Sequence, residues 1–339
     1  MANEIPAVSV IIPMYNVEKY IAETLNSIYG QTLKNFELIV VDDCSTDKSC
    51  EIVESFIPKF DGRLKLIHMK KNSGCAGLPR NKGVEFSRGK YIYFLDSDDV
   101  ITVNSLETFY KIAEYYQADI LLAKKYFISK GIGKNFLKQA VLVGDLTDTT
   151  VKLLTDNLAV RLNIWGKNYF EVSPGLKFSR RDFLVENEIK FLPIMQEDSY
   201  WTFELICLAK KVILLPHVFY FVRRSDSNSL STQALNLNFT TKSIHNKLDR
   251  IINGLKHVDE FMGGLEFFQK NPAYRYAVVN HIMLQNMSWM LNSYGRFSPM
   301  QIYEKIVEAL KNEAGNFDVL ISCLMINSMN MVRILSGKK

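Results

Sequence analysis

Short apolar runs alternate with helical periodicity through the first third of the chain. Runs typical of buried strands lie at 8–12, 36–41, 64–68, 91–95 and 120–123. Between these runs, apolar residues recur at spacings of three or four, which predicts helices that each bury one face. Strands that alternate with helices predict an α/β domain, Rossmann-like, with a mostly parallel sheet and helices on both faces.

Polar residues between these runs predict where the helices begin. Asn16 is a candidate N-cap for the first helix, and Pro79 suits the first turn of a later one. Asp98 or Asp99 could cap the helix that follows the fourth strand. That capping role is a purely structural alternative to ligand binding.

The pattern changes in the second half of the chain. Scattered glycines in residues 124–180 predict irregular loops that shape a site. Residues 197–210 have helical spacing, and residues 212–222 are typical of extended structure. Beyond Ser231 the pattern is helical. We therefore expect a catalytic domain over residues 1–231 and a helical C-terminal region over 232–339.

Composition narrows the class of protein. The 339 residues are 47% hydrophobic, which suffices for a large core. Lysine and arginine number 41 against 36 acidic residues, and an excess of +5 is too small to indicate a nucleic-acid groove, although it suits an anionic donor or membrane face. The five cysteines form no CxxC pair, which argues against a disulfide scaffold and a structural zinc site.

Targeting signals are weak in this sequence. Residues 1–6 lack a basic segment followed by an apolar one, and polar residues interrupt the apolar stretches 277–291 and 319–335. We expect a cytoplasmic protein. Acceptor binding, self-association and peripheral contact with the inner face of the membrane remain open as roles of the C-terminal region.

Polar side chains follow each predicted strand, where ligands bind in an open parallel sheet. Tyr15 can stack on a base, Asp43 can accept a hydrogen bond from a ring N–H, and Arg80 can meet a phosphate or carbonyl oxygen. These residues could line one nucleotide pocket. The segments that follow the first four strands are 13–16, 42–43, 72–80 (beginning with Asn72) and 96–99.

The fourth of these segments carries three carboxylates within four residues, at Asp96, Asp98 and Asp99. Such carboxylates repel one another unless a cation or solvent intervenes. Mg²⁺ and Mn²⁺ prefer a few carboxylate oxygens together with substrate phosphates. The segment therefore predicts a divalent-metal site for a diphosphate, with Asp98 and Asp99 as ligands.

Four motifs occur in the order seen in the family 2 glycosyltransferases with the GT-A fold, and on these motifs the chain resembles that family. The motifs are VSVIIPMYN at 8–16, VDDCSTD at 41–47, PRNKG at 79–83 and LDSDD at 95–99. The resemblance covers residues 8 to about 230. Pro79 departs from the alanine that usually precedes the arginine, a change that an early helical position tolerates.

The resemblance assigns roles to individual residues. It implies ribose contact from Asp96 and metal contact mainly from Asp98. It implies a catalytic base in the segment QEDSYW at 196–201, with Asp198 as the base and Glu197 assisting it. The alternative for Glu197 and Asp198 is a charged first helical turn that the helix dipole favours. Uridine contacts are implied for Pro13, Tyr15, Asp43 and Arg80.

Two further segments resemble parts of the family's site. Residues 165–167 are similar to the segment before the acceptor-side helix, and Arg223, Arg224 and Ser229 are similar to a loop that closes on the diphosphate. Each has an ordinary alternative, because Trp165 could be core and the two arginines a solvated turn.

The combined interpretation is an inverting hexosyl- or N-acetylhexosaminyltransferase that uses a nucleotide sugar, with UDP as the expected nucleotide. Mn²⁺ or Mg²⁺ would assist the departure of the diphosphate. We expect a glycan or lipid-linked acceptor in surface polysaccharide assembly. A non-catalytic nucleotide-sugar-binding or scaffold protein is the main alternative. A nucleotidyltransferase is a weaker one, because residues 13–16 do not form a basic glycine-rich phosphate loop.

Overall fold

The structure is a computed structural model that describes residues 5–129, 141–143, 150–167, 171–194, 196–223, 241–292, 301 and 304. The chain divides into two compact units, residues 1–225 and 226–339. Ser231, the boundary predicted from the sequence, lies outside the described residues.

The first unit alternates strands and helices as predicted. Its strands are β1 (Val8–Met14), β2 (Phe36–Asp42), β3 (Leu64–His68), β4 (Tyr91–Phe94), β5 (Val100–Ile101), β6 (Ile120–Ser129), β7 (Val141–Val143), β8 (Lys152–Leu153), β9 (Lys177–Arg180) and β10 (Val212–Arg223). Its helices are α1 (Ile21–Tyr29), α2 (Ser49–Phe56), α3 (Gly77–Phe86), α4 (Ser105–Tyr116), α5 (Leu158–Trp165), α6 (Arg181–Glu186) and α7 (Glu197–Leu208). Short 3-10 helices cover Ile57–Phe60 and Pro174–Leu176.

The strands form one mixed sheet in the order β3-β2-β1-β4-β9-β6-β10-β5, with β7 beside β6 and β8 beside β10. The half from β3 to β4 is parallel throughout. Strand β9 then inserts antiparallel between β4 and β6. The predicted α/β class with a sheet that begins as a parallel one is confirmed, and the antiparallel strands β5, β7, β8 and β9 are the departure from it.

Helices pack on both faces of the parallel half. Val10 and Ile12 of β1 share a core cluster with Ile21 and Leu25 of α1. Ile11 faces the other way, because successive side chains of a strand alternate. There a Cβ on residue 83 of α3 would lie 2.3 Å from the Ile11 side chain, so α3 can approach β1 this closely only because residue 83 is glycine.

Two local predictions and one structural alternative are wrong. Helix α1 begins at Ile21 and not at Asn16, which has a left-handed φ of 49° and accepts a hydrogen bond from the Thr46 N–H at 2.7 Å. Neither Asp98 nor Asp99 caps α4, because β5 intervenes and Asn104 precedes the helix. Residues 124–180 are less irregular than expected, because pairing within the sheet extends β6 and adds β8 and β9.

The described part of the second unit consists of helices α8 (Thr241–Gly263), α9 (Glu266–Lys270) and α10 (Pro272–Asn292). Arg275 donates to both carboxylate oxygens of Asp259, at 2.6 and 2.7 Å, and so links α10 to α8. Among the described helices, none combines the length and apolarity needed to cross a membrane. Residues 319–335 lie outside the described part.

Candidate active site

The carboxyl end of β1 presents an exposed aromatic ring. Tyr15 follows the strand and is 45% exposed, so its ring face is accessible to a base. The pairing of β1 with β4 ends at Ile11, and Pro13 lies beyond this point. Because proline lacks an N–H, this position lets it interrupt no hydrogen bond between the two strands. Both residues lie where a nucleotide pocket was predicted, and their uridine contacts stay predictions.

Asp43 anchors the loop after β3. Its carboxylate accepts from the Ser73 N–H at 2.9 Å and from the Ser73 hydroxyl at 2.8 Å. Asn72 donates to the Asp43 carbonyl at 2.9 Å and accepts from the Gly74 N–H at 2.9 Å. Asn72 therefore shapes the loop. A carboxylate has about four acceptor positions, so Asp43 keeps capacity for a ring N–H.

Arg80 of α3 joins two parts of the predicted site. Its Nη2 donates to Asp96 at 2.7 Å and its Nη1 donates to Glu197 at 3.1 Å. The guanidinium is buried and lies 5.2 Å from the centroid of the Phe191 ring. Arg80 thus connects the end of β4 to the start of α7, and a direct uridine contact from it stays a prediction.

A glycine permits this close approach of α3 and α7. A Cβ on Gly77, in the first turn of α3, would lie 2.8 Å from the Phe191 Cβ and 3.0 Å from the Glu197 Cγ. A larger residue at position 77 would push α7 away from Arg80. The juxtaposition of the two segments therefore depends on backbone packing as well as on charge.

The two predicted metal ligands have different surroundings. Asp99 is buried, and its carboxylate accepts from the Arg223 N–H at 2.7 Å. Asp98 is half-buried, and burial together with Asp96 raises the pKa of its carboxyl to about 6, against the opposing effect of Arg223. Asp99 thus binds the end of β10, whereas Asp98 remains suited to a cation.

Glu197 and Asp198 begin α7, as predicted. Burial raises the pKa of both carboxyls, and Arg80 opposes this increase for both. Asp198 and Asp96 add to the increase for Glu197, and Asp96 adds to it for Asp198. A carboxyl whose pKa is raised is a stronger base once ionised, which is the property a proton acceptor needs. The helix-dipole alternative alone does not account for this burial.

A different cluster has the spacing of metal ligands. Within the described ranges, Asp42, Cys50 and His68 are the one group of three His, Cys, Asp or Glu side chains whose donor atoms all lie within 4.8 Å of one another. Asp42 pairs with His68 Nδ1 at 3.2 Å. Burial and Asp42 raise the pKa of the Cys50 thiol to about 12, so the thiol stays protonated.

The predicted diphosphate loop is only partly described. Arg223 is not in a solvated turn, because it is buried, forms an ion pair with Glu23 and donates to the Asp98 carbonyl at 2.9 Å. Arg224 and Ser229 lie outside the described residues. Trp165 is buried against Phe203, with ring centroids 5.2 Å apart, as its core alternative expected.

One charged residue of this region, Lys177, was not predicted from the sequence. Lys177 is buried in β9, and the Asp198 carboxylate is the charge that contributes most to keeping it protonated. The signal was a lysine between Leu176 and Phe178, in a segment that we expected to be a loop.

The sequence model of Glycosyl transferase family 2 matches residues 9–186, more than half of the chain. The chain is 31% identical over 230 residues to the poly(ribitol-phosphate) beta-N-acetylglucosaminyltransferase TarS of Staphylococcus aureus, which is 66% of this chain but only 37% of TarS. It is 26% identical to TarP of the same species over 90% of this chain and 86% of TarP.

Solved structures share the fold. TarS 1-349 in complex with UDP-GlcNAc has a TM-score of 0.62 at 24% identity, covering 92% of this chain and 83% of that one. A mannosyltransferase of Pyrobaculum calidifontis in complex with GDP-Man and Mn²⁺ has a TM-score of 0.54 at 15% identity, covering 98% of this chain and 88% of that one. The GT-A fold is therefore shown for this chain. Because the family's sequence model matches more than half of the chain, the chain belongs to glycosyl transferase family 2.

Proposed function

We propose that this chain is an inverting glycosyltransferase that transfers a hexose or N-acetylhexosamine from a UDP-sugar to a hydroxyl group of a surface polysaccharide. The observation that carries the proposal is the bridge from Asp96 through Arg80 to Glu197, with N···O distances of 2.7 and 3.1 Å. It brings the strand ends of the predicted donor pocket next to the acidic pair at the start of α7. TarS and TarP, which act on poly(ribitol phosphate) according to their names, support an anionic polyol-phosphate acceptor.

The transfer is a single displacement. Asp198 accepts the proton of the acceptor hydroxyl while that oxygen bonds to the anomeric carbon. The bond from the anomeric carbon to the diphosphate breaks on the opposite face, so UDP leaves and the configuration inverts. Tyr15 would stack on the uracil ring, and Asp43 would accept its N–H.

A divalent cation fits the segment after β4. Asp98 is half-buried, and burial together with the neighbouring Asp96 carboxylate raises the pKa of Asp98; a cation would relieve the repulsion between the two carboxylates. Asp98 would hold Mn²⁺ or Mg²⁺, which would neutralise charge on the leaving diphosphate. Asp99 contributes by fixing the end of β10 through the Arg223 N–H.

The decisive experiment measures release of the nucleoside diphosphate, which is UDP from UDP-GlcNAc and UDP-glucose and GDP from GDP-mannose, with Mn²⁺, in the presence and absence of poly(ribitol phosphate). We expect a UDP-sugar to be used and the polymer to accelerate UDP release. Release from GDP-mannose alone would contradict the choice of nucleotide. No release from any donor by wild-type protein that binds UDP would favour the non-catalytic alternative.

A further inference from the structure

Lys177 carries a buried charge close to α7, the helix whose first turn contains the predicted base. The residue is 1% exposed, and its Nζ donates to the carbonyl oxygens of Glu171 at 2.6 Å and Ser173 at 2.9 Å. An ammonium has three donors. In the ranges that the structure describes, no carboxylate oxygen lies within 4.0 Å of Nζ, so no direct ion pair compensates this charge.

The segment that Lys177 holds also contacts α7. The Thr202 hydroxyl of α7 donates to the Val172 carbonyl at 3.1 Å, and Lys177 binds the carbonyls on either side of Val172. The Lys177 ammonium lies 6.0 Å from the centroid of the Trp201 ring, also on α7. Residues 171–173 are thus fixed against the helix that presents Asp198.

Charge couples Lys177 to Asp198. Burial lowers the pKa of Lys177 to about 7, the Asp198 and Glu171 carboxylates oppose this decrease, and Arg80 adds to it. The effect is mutual, since Arg80 and Lys177 both lower the pKa of Asp198 against burial and Asp96. Glu197 is the remaining charged neighbour of Asp198.

We propose that Lys177 is a positioning residue for Asp198, because its buried ammonium favours the ionised base and its two carbonyl contacts fix residues 171–173 beside α7. The inference rests on the proposed function, in which Asp198 is the base. A cation that does not touch the carboxylate favours its ionisation and leaves its oxygens free to accept a proton. A direct ion pair would occupy those oxygens.

The first test measures the ionisation of Asp198 without any turnover. Protein labelled with ¹³C at the aspartate carboxyl carbon is titrated by NMR, and the resonance missing from Asp198→Asn identifies the residue. In Lys177→Met the midpoint moves to higher pH, because the favourable charge is gone. In Lys177→Arg it stays near the wild-type value. Lys247→Met, which removes a buried lysine from α8, is the matched control and leaves the midpoint unchanged.

The second test measures the pH profile of UDP release from UDP-GlcNAc. Activity rises with pH as the base ionises, so Lys177→Met shifts this rise to higher pH and lowers turnover near pH 6 by about three- to tenfold, with UDP affinity unchanged. An Asp198 midpoint that is the same in Lys177→Met and wild type would overturn the inference. If Lys177→Met does not fold, Lys177→Gln serves, since it also removes the charge. Wild-type protein without turnover would contradict the proposed function, while the NMR titration would still decide the role of Lys177.

Discussion

Two groups of acidic residues in the first unit, all at least partly buried, have pKa values shifted in opposite directions. Glu37 of β2 and Asp119, just before β6, have lowered pKa values. Asp98, Glu197 and Asp198, at the candidate active site, have raised ones. Burial acts in the same direction on both groups, so their polar partners make the difference.

The structural acids have partners that favour their charged form. Glu37 accepts from the Ser9 hydroxyl at 2.7 Å and from the Arg88 N–H at 2.6 Å. Asp119 accepts from Arg180 at 2.7 Å and from the N–H groups of residues 210 and 211 at 2.8 and 3.0 Å. Hydrogen bonds to a carboxylate outweigh the cost of burying it and lower its pKa.

The site acids are instead surrounded by one another. Arg80 binds Asp96 and Glu197, so one cation serves several neighbouring carboxylates. Uncompensated buried charge costs stability, and it is retained where a ligand or a reacting proton supplies what is missing. Among these five acids, hydrogen bonds compensate the two that lie away from the candidate site, and other carboxylates crowd the three at the site.

The largest expected effect is on turnover in Asp198→Asn. The substitution keeps the size of the side chain but removes its basicity, so sugar transfer falls by about a hundredfold or more. UDP affinity stays near the wild-type value, because the interaction lost is made in the transition state. Thermal stability is expected to hold or rise, because a buried carboxylate that repels its neighbours is gone.

Measuring turnover, UDP affinity and Tm together on this variant checks the assignment. Glu197→Gln is the matched control, since it removes the neighbouring carboxylate and leaves Asp198. Transfer by Asp198→Asn at nearly the wild-type rate would identify Glu197 as the base.

The second effect is on folding, in Asp119→Asn. Loss of a buried charge that binds Arg180 and two backbone N–H groups is expected to lower the free energy of unfolding by about 2 kcal/mol. UDP affinity should not change. Urea denaturation measures the loss, and Asp182→Asn, on an exposed carboxylate 3.7 Å from Arg181, is the control with little effect. An Asp119→Asn protein as stable as wild type would contradict the claim that the hydrogen-bonded acids stabilise the fold.

The third effect separates Asp98 from Asp99. UDP is expected to bind about tenfold more tightly with Mn²⁺ than with EDTA, a difference of about 1.4 kcal/mol. Asp98→Asn should abolish this difference, because Asp98 would hold the cation. Asp99→Asn should chiefly lower Tm, because Asp99 binds the Arg223 N–H. Calorimetric titration with UDP measures the affinity of each variant with Mn²⁺ and with EDTA. Equal affinity in wild type with and without metal would remove Asp98 from its assigned role.

The smallest effect concerns pH. The pKa of Glu37 is lowered in the folded chain, so its contribution to stability is present above its unfolded pKa and is lost as pH falls through the folded value. Glu37→Gln should therefore be less stable than wild type by about 1 kcal/mol at pH 7, and the difference should shrink below about pH 4. Urea denaturation from pH 7 to pH 3 checks this, and a difference that grows toward low pH would contradict the sign.

Much of the local structure was determined by the sequence alone. Strand β3 spans Leu64–His68 as the apolar run predicted, and α7 begins at Glu197. A strand and a helix are recognised from neighbouring residues, because their periodicities of two and about 3.6 are local. The strand-end motifs are also local segments of the sequence, and their resemblance to family 2 glycosyltransferases indicated the family.

Tertiary structure alone decided which of these segments meet. Arg80 and Glu197 are 117 positions apart, and no periodicity relates them. Strand β9 enters the sheet antiparallel between two strands that precede it in the chain, which places Lys177 in the interior. Whether a charged side chain is compensated depends on atoms brought close by packing. The sequence therefore identified the acids, and the fold decided which of them stabilise the protein and which are left with raised pKa values at the site.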